Sequence, residues 1–160
     1  MDVIGVQVNG VDIKVDPSVF ALSPDAQTGF VIDSGYDITS LSNVAFNALK
    51  DSIQKILGTP VMYSGYEICY LYSTFGSHWP YKQKPKIGIK FRDGVFELDE
   101  SNAWRRMSNT NLDCLLMLRT PAPGEKLSFL GNEQLFDVNV GHDPINNLLY
   151  LQPMKCPTSF

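Results

Sequence analysis

The chain has 160 residues, enough for one domain of ordinary size or two very small ones. Its net charge of −4 and its 19% charged residues argue against a nucleic-acid-binding protein, which presents a basic face, and against a highly charged disordered chain. No apolar run approaches the ~20 residues of a membrane-spanning helix, so no membrane partner is expected. An aromatic content of 11%, with 12 glycines and 10 prolines, favours strands and turns over a helical bundle.

The first stretch of the chain predicts a β-hairpin over residues 4–13. Valines alternate there with polar residues, and Asn9-Gly10 is the dipeptide most typical of a two-residue hairpin turn. After two proline-containing loops comes a short apolar strand, Phe30-Val31-Ile32. This strand ends abruptly at Asp33-Ser34-Gly35, the sharpest change from apolar to polar residues in the sequence.

One convincing helix is predicted, beginning after Ser42, whose hydroxyl is expected to cap it, and ending at Gly58 and Pro60. Its apolar positions between Ala45 and Ile56 recur at helical spacing. Beyond Pro60 the pattern predicts strands and turns, with no repeat, low-complexity tract or linker, which indicates one mostly-β domain. The later strands are predicted at 87–91, 95–98, 112–118, 127–130, 136–140 and 148–151.

Two charged stretches are interpreted as surface features. Trp104-Arg105-Arg106 is expected to be a solvated loop. Lys82, Lys84 and Lys86 alternate along the chain, which is typical of an exposed edge strand protected by lysines rather than of an anion site.

Asp33 is the first candidate for chemistry, because an acid at the tip of an apolar strand is expected to be at least partly buried, as acids at functional sites often are. Gly35 permits close approach of the backbone, and Ser34 supplies a hydroxyl for orientation. Taken alone, however, Asp-Ser-Gly is also a common turn sequence, and that interpretation stays open at this point.

The three cysteines, Cys69, Cys114 and Cys156, show no CxxC spacing, so a zinc knuckle is not expected. Their odd number leaves one thiol over if the other two pair. Three free buried thiols in a reducing compartment remain the alternative.

The two histidines, His78 and His142, lie far apart, and neither has a second ligand at metal spacing, so no metal site is predicted. A triad of Ser34, His142 and Asp143 can be written down, but no nucleophile elbow surrounds the serine. The sequence has no glycine loop that would hold a phosphate, and no cofactor is expected.

Two motifs stand out when the chain is read as a whole. One is Gly29-Phe-Val-Ile-Asp-Ser-Gly35, and the other is Phe129-Leu130-Gly131-Asn132 followed by Gln134. Together they resemble the second Asp-Ser-Gly element and the apolar-apolar-Gly-Asn-x-x-Gln element in the C-terminal lobe of pepsin-like aspartic proteases, specifically the plant nepenthesin-like branch. The resemblance covers nearly the whole chain in the same order. Its other matching positions are the 6–10 hairpin, Phe20, Thr39, Leu41, Ala45-Phe46, Cys69-Tyr70, Pro85, Ile87, Phe91, Cys114, Val140, Asp143, Asn147 and Cys156.

This resemblance implies a mainly β fold, namely one lobe of the pepsin-like fold with one or two short helices, spanning residues 1–160 as a single C-terminal-lobe domain. It implies that Asp33 is one catalytic carboxylate and that Ser34 contacts the opposite lobe. Phe129, Leu130 and Gly131 would be structural, because the glycine lets a second strand pass close to the Asp33 loop.

The mechanism implied by the family needs two carboxylates that share one proton, and this chain has a single Asp-Ser/Thr-Gly. The second aspartate belongs to an N-terminal lobe in that family, so this chain alone is expected to hold half an active site for a polypeptide substrate. The family has Thr at the position of Tyr36, where a hydroxyl bonds the carboxylate. The bulkier phenol is expected either to enter the cleft or to leave Asp33 poorly oriented.

The cysteines fit the same resemblance, which implies that Cys69 and Cys114 pair within the lobe. Such a cross-link over 45 residues stabilises a protein by about 3–4 kcal/mol in the chain-entropy model. Cys156 would then be the unpaired cysteine. The family implies an extracellular or vacuolar location, whereas the N-terminal residues have neither the basic nor the apolar region of a signal peptide.

Two alternatives to a protease lobe remain open as hypotheses of function. The same plant fold resembles xylanase-inhibitor proteins, in which the scaffold binds another enzyme without cleaving it, and Tyr36 favours this hypothesis. Alternatively, two copies could associate and bring two Asp33 residues together as a homodimeric half-protease.

Overall fold

The computed structural model describes residues 2–25, 27–77, 81–121, 126–146 and 148–155. Strands dominate these residues, and none of their helices is long and apolar enough to cross a membrane. The helices are α1 (Asn43–Leu57) and α2 (Glu100–Ala103). The strands are β1 (Val3–Val8), β2 (Val11–Asp12), β3 (Thr28–Ile32), β4 (Thr39–Leu41), β5 (Val61–Tyr63), β6 (Tyr66–Leu71), β7 (Ile87–Phe91), β8 (Gly94–Glu97), β9 (Trp104–Arg106), β10 (Leu112–Leu115), β11 (Met117–Arg119), β12 (Lys126–Leu130), β13 (Val138–Asp143) and β14 (Leu148–Pro153).

Among the described residues, the strands form three four-stranded sheets and one separate hairpin. The first sheet has the order β2-β1-β7-β8, and the second has the order β5-β6-β10-β9. The third, β11-β4-β12-β3, contains the Asp33 loop at the end of β3 and includes the parallel pairs β3–β12 and β4–β11. The hairpin β13–β14 pairs only with itself within this part of the chain.

Local sequence signals account for the first hairpin and for α1. Asn9 and Gly10 both have positive φ, 52° and 77°, as a two-residue hairpin turn requires. The buried residues of α1 form one stripe at helical spacing, and the helix ends at Gly58, whose φ is 93°. They are Ala45, Phe46, Leu49, Ile53 and Leu57.

The prediction of Ser42 as the cap of α1 is correct in position but not in the side-chain contact. Ser42 occupies the N-cap position, but its side chain makes no capping hydrogen bond. Its backbone N–H instead donates to the hydroxyl of buried Ser128, 2.9 Å away. This contact ties the start of α1 to β12, whereas the buried Ser42 hydroxyl has no hydrogen-bond partner among the described residues.

The predicted disulfide between Cys69 and Cys114 is confirmed. The two residues lie directly opposite each other in the β6–β10 register, and both are fully buried. Met107 and Leu116 pack with them in a small apolar cluster. Cys156 lies outside the described residues.

The prediction of one buried strand over residues 112–118 is wrong, because the chain changes sheets at Leu116. The Leu116 N–H donates to Ala103 O at 2.7 Å, and its carbonyl accepts from the Gln134 side chain at 2.8 Å. These bonds end β10 and start β11 in another sheet. A continuous apolar run cannot reveal such a corner, since both strands are buried.

Neither charged stretch forms the element predicted for it, although Arg105, Arg106, Lys82 and Lys86 are exposed as expected. Trp104 is buried in β9, and its indole N–H donates to Pro85 O at 3.0 Å. The lysines precede β7 instead of forming an edge strand: Lys82 donates to Ile56 O, and Lys84 forms an ion pair with buried Asp113. Lys86 pairs with Glu97. Each lysine therefore has a particular tertiary partner.

Glu67 links three elements through ion pairs, and we expect this cluster to make stability depend on pH. Its carboxylate accepts from Arg119 Nε at 2.9 Å and from Lys50 Nζ at 3.0 Å. The hydrogen bonds from Arg119, more than those from Lys50, lower the pKa of Glu67. A carboxyl with a lowered folded-state pKa stabilises the fold above its unfolded pKa, about 4.3, and loses that contribution as the pH falls through the folded value.

Replacing Glu67 by Gln is therefore expected to cost about 1 kcal/mol near pH 7, an amount suited to a partly buried cluster whose side chains keep some contact with solvent. The difference from wild type should shrink as the pH falls below the ordinary glutamate pKa. Urea unfolding measured across this pH range tests the prediction, with Asp51→Asn on the exposed side of α1 as the matched control. An undiminished difference in strong acid would contradict it.

Candidate active site around Asp33

Asp33 lies at the point where β3 leaves the third sheet. Its backbone N–H donates to Leu130 O at 3.0 Å, so the loop starts against the end of β12. The side chain is exposed, so the burial expected from the apolar strand before it is wrong, and Oδ1 accepts a hydrogen bond from the Gly35 N–H at 2.9 Å. The Asp33 carbonyl accepts from the Tyr36 N–H at 3.1 Å. The carboxylate is thus held at one oxygen by its own turn and remains open to solvent.

Gly131 lies where the 33–38 loop and the segment after β12 touch. A Cβ placed on it would stand 2.6 Å from the carbonyl carbon of Ile38 and 2.7 Å from the N of Thr39. The Gly131 N–H donates to Thr39 Oγ1 at 3.0 Å, inside the protein. Only glycine fits this separation, because the obstructing atoms belong to backbone.

Two further backbone bonds join the same segments. Asn132 N–H donates to Tyr36 O at 2.7 Å, and Glu133 N–H donates to Asp37 O at 2.9 Å. The Asp33 loop is therefore bonded to residues 130–133 near both of its ends, at Asp33 and at Tyr36 and Asp37. Sequence reasoning singled out Asp33 and Gly131, but the bonds that join their segments become visible only in the fold.

The Tyr36 ring lies flat against Phe129. The ring centroids are 5.0 Å apart, and the planes are inclined by 12°. Among the described hydrogen bonds, none joins the phenol oxygen to the Asp33 carboxylate. Tyr36 thus does not reproduce the hydroxyl contact expected of Thr at this position, and it adds an aromatic surface beside the loop.

A groove of about 540 Å³ runs beside the loop. Ser34 and His142 are its polar lining residues, and the rest of the lining is apolar. Val140 and Leu148 of the β13–β14 hairpin are about 42–43% exposed on this face. The apolar lining residues are Val3, Phe30, Val31, Ile32, Phe91, Val140, Leu148 and Leu149.

The structure brings Ser34 and His142 to the same groove but forms no relay with Asp143. The Asp143 carboxylate accepts from the Asn146 side chain and from the backbone N–H groups of Ile145 and Asn146. These bonds, led by the one from the Asn146 side chain, lower the pKa of Asp143. His78 lies outside the described residues.

Sequence reasoning noted Thr39 and Gln134 only as parts of a matching pattern. In the fold, both are buried and make several hydrogen bonds below the Asp33 loop. A single Thr or Gln carries no local signal of such a role, because burial of a polar side chain depends on partners distant in sequence.

The mainly β architecture, in which the loop that contains Asp33-Ser34-Gly35 packs against Gly131, is that of one lobe of the pepsin-like fold. The family model described as xylanase inhibitor C-terminal matches residues 1–152, and the chain belongs to this family. The predicted fold class is thereby confirmed.

Curated relatives include aspartic proteinases of plants. The chain is 29% identical to nepenthesin-2 and 28% identical to nepenthesin-1 of Nepenthes gracilis, in each case over 97% of its length. It is 27% identical, over 95% of its length, to the protein aspartic protease in guard cell 2 of Arabidopsis thaliana. The chain spans about a third of the length of these relatives, 35%, 35% and 32% respectively.

Solved structures show the same fold at lower identity. The crystal structure of edgp superposes with a TM-score of 0.80 at 17% identity, over 96% of this chain and 39% of that one. Conglutin gamma from lupine seeds gives a TM-score of 0.70 at 15% identity, over 96% of this chain and 37% of that one. Basic 7S globulin from soybean gives 0.68 at 15% identity, over 95% and 38%.

Proposed function

We propose that this chain is a single domain, the C-terminal lobe of an aspartic endopeptidase, and that Asp33 is one of the two acids that cleave a polypeptide substrate. The observation that carries the proposal is the geometry of Asp33: an exposed carboxylate at the end of a strand, oriented by the Gly35 N–H and supported by residues 130–133. Plant aspartic proteinases that match nearly the whole chain support the assignment.

In the proposed mechanism, Asp33 is one of two carboxyl groups that share a single proton. Two close carboxylates cannot both ionise, so one is protonated and the other is charged. The charged carboxylate takes a proton from water, whose oxygen attacks the scissile carbonyl carbon. The protonated carboxyl gives its proton to the carbonyl oxygen, which leaves a tetrahedral diol. The carboxyl that took the proton of water then gives it to the amide nitrogen, a diol hydroxyl returns a proton to the other carboxylate, and the C–N bond breaks to release the acid and amine products. No cofactor enters these steps, and this chain by itself is proposed to be inactive.

The partner is proposed to be an N-terminal protease lobe that covers the groove beside Ser34. The groove is mostly apolar and continues onto the β13–β14 hairpin. A two-stranded hairpin is only marginally stable when its faces and edges are in water, which favours a covering partner. Because Ser34 is part of the groove lining, a lobe seated there would lie next to Asp33 and could supply the second carboxylate.

A non-catalytic binding relative is the second candidate, and Tyr36 is the observation that favours it. Its ring lies on Phe129, and its hydroxyl does not contact the Asp33 carboxylate among the described hydrogen bonds. A lobe of this kind would keep the fold and bind another protein, with Asp33 dispensable.

Complementation tests the two candidates. The purified chain is mixed with the N-terminal lobe of a nepenthesin-type protease, and cleavage of a denatured protein is measured at roughly pH 3–5, where a carboxylate pair can share one proton. We expect pepstatin-sensitive cleavage that neither lobe shows alone. Asp33→Asn should abolish the cleavage, whereas Asp37→Asn, an equal charge change in the same loop, should retain it.

Cleavage that survives Asp33→Asn would contradict the protease proposal. Binding of the N-terminal lobe without cleavage would favour the non-catalytic relative, and Tyr36→Thr would then show whether the phenol is the obstacle. Cleavage by this chain alone, with a rate that rises steeply with its concentration, would instead indicate a homodimeric half-protease.

A further inference from the structure

Gln134 is a fully buried polar side chain directly below the Asp33 loop. It is 0% exposed and belongs to the 3-10 turn Asn132–Leu135. Its Oε1 accepts from the Thr39 N–H at 2.9 Å, and its Nε2 donates to Asn102 O and Leu116 O, each at 2.8 Å. One amide therefore satisfies three buried backbone groups from three separate parts of the chain.

The Asp33 loop depends on the segment that Gln134 holds. Among the described residues, every hydrogen bond from the 33–38 loop to another part of the chain goes to residues 130–133. These bonds are Asp33 N–H to Leu130 O, Asn132 N–H to Tyr36 O and Glu133 N–H to Asp37 O. The position of residues 130–133 therefore determines the position of the Asp33 carboxylate.

Gln134 connects that segment to the surrounding framework. Leu116 is the corner between β10 and β11, and Asn102 lies in α2 and donates through Nδ2 to Phe136 O at 2.7 Å. Thr39 is bonded to the segment twice, at its N–H by Gln134 and at its Oγ1 by Gly131. A shift of the Gln134 amide would therefore displace both the start of β4 and the support of the Asp33 loop.

We propose that Gln134 is a positioning residue for the Asp33 carboxylate: its amide fixes residues 130–133 against α2 and the β10–β11 corner, and these residues fix the loop. The proposal rests on the proposed function for the catalytic use of Asp33. It does not make Gln134 a catalytic residue, because the described hydrogen bonds of its side chain all go to backbone groups and none goes to Asp33.

In the variant Gln134→Glu, the hydrogen bonds at this position depend on whether the introduced carboxyl is protonated. When protonated, the carboxyl keeps the shape of the amide, accepts from Thr39 and donates to one of the two carbonyls. When ionised, it faces two carbonyl oxygens without a proton to give, which raises the pKa of the introduced carboxyl. Its stability relative to wild type is then fullest below the unfolded glutamate pKa, about 4.3, and is lost as the pH rises through the raised folded value.

The experiment follows backbone amide signals of the isolated chain by NMR, so it needs no proteolytic activity. We expect the Gly35, Asn132 and Glu133 signals of Gln134→Glu to match wild type near pH 4 and to move away as the pH approaches 7. In Gln134→Met they should be displaced at both pH values, with exchange of the Asn132 amide faster by about tenfold. The control is Thr120→Val, which removes a buried hydroxyl bonded to Leu127 O at the far end of β12; it should lower stability and leave these signals in place.

A second readout uses the protease activity of this chain mixed with the N-terminal lobe of a nepenthesin-type protease. There, Gln134→Met should lower kcat by about tenfold or more with KM nearly unchanged, since the loop is misplaced while the binding surface remains. If Gln134→Met fails to fold, Gln134→Glu alone decides the matter through its pH dependence.

The inference is overturned if the variants of Gln134 lose stability while the loop signals stay at their wild-type positions, or move no more than in Thr120→Val. This failure is distinct from failure of the proposed function. A dispensable Asp33 in the cleavage assay would remove the catalytic assignment and leave the NMR result intact, and the reverse outcome would remove only the role of Gln134.

Discussion

Replacing Gly131 by alanine is expected to lower the free energy of unfolding by about 3 kcal/mol or more, at the upper end for overpacking of a core. The added methyl would meet Ile38 C at 2.6 Å, Thr39 N at 2.7 Å and Tyr36 O at 2.9 Å. All three are backbone atoms, so no side-chain rotation relieves the contact, and the Asp33 loop must move away from residues 130–133. Urea unfolding of the isolated chain measures the loss.

The matched control for this prediction is Gly94→Ala. Nothing lies within 4 Å of a Cβ placed at Gly94, and its backbone is outside the positive-φ region. We expect a change within about 0.5 kcal/mol there, as for most surface substitutions. If the two variants had similar stability, the close approach at Gly131 would not be an essential contact of the fold.

Replacing Asp113 by alanine is expected to cost about 2–3 kcal/mol, because Lys84 loses its buried partner and keeps only exposed Glu100 among the described ion-pair partners, while half-exposed Arg106 loses the carboxylate to which it donates. Asp113 has a side chain only 1% exposed and lies in β10 beside the disulfide. Its Oδ2 is 3.2 Å from Lys84 Nζ, and its Oδ1 accepts from Arg106 Nε. The hydrogen bond to Asp113 also raises the pKa of Arg106, whose guanidinium lies over the Tyr72 ring.

The comparison for Asp113 is Glu97→Ala, which breaks an ion pair with Lys86 whose side chains are 55% and 68% exposed. Exposed pairs contribute little, so its expected cost is below about 1 kcal/mol and should fall further in high salt. Unfolding at low and high ionic strength distinguishes the pairs, since the loss at Asp113 should be nearly independent of salt. A loss at Asp113 as small as that at Glu97 would mean that Lys84 and Arg106 recover their hydration when the carboxylate is gone.

The elements that sequence predicted correctly are those with a local cause. Asn9-Gly10 adopts positive φ with little help from the rest of the protein. The apolar spacing from Ala45 to Ile56 correctly predicts a helix, although Ile56 itself is exposed and Leu57 is buried in its place. The Cys69–Cys114 pair is predicted only through the family resemblance, because cysteines separated by 45 positions give no local indication of which of them meet.

The predictions that were wrong concern residues whose environment is supplied by distant parts of the chain. The corner at Leu116 depends on Ala103 and Gln134, and the burial of Trp104 depends on the Pro85 carbonyl. The sequence places Lys84 on an exposed edge strand because its ion-pair partner, Asp113, lies 29 positions further along the chain and cannot be recognised locally. Such contacts form when sheets pack, and no short sequence window contains both partners.

By itself, the sequence determined the β-rich character of this protein, the hairpin turn at Asn9-Gly10 and the position of Asp33 at the end of an apolar strand, since each follows from neighbouring residues. Only the tertiary structure decided that Tyr36 stacks on Phe129, that Ser34 lines an apolar groove and that Gln134 lies beneath the loop. The physical reason is the range of the interactions: turn and strand preferences act between adjacent residues, whereas burial of polar groups and ring packing require segments about a hundred residues apart to meet.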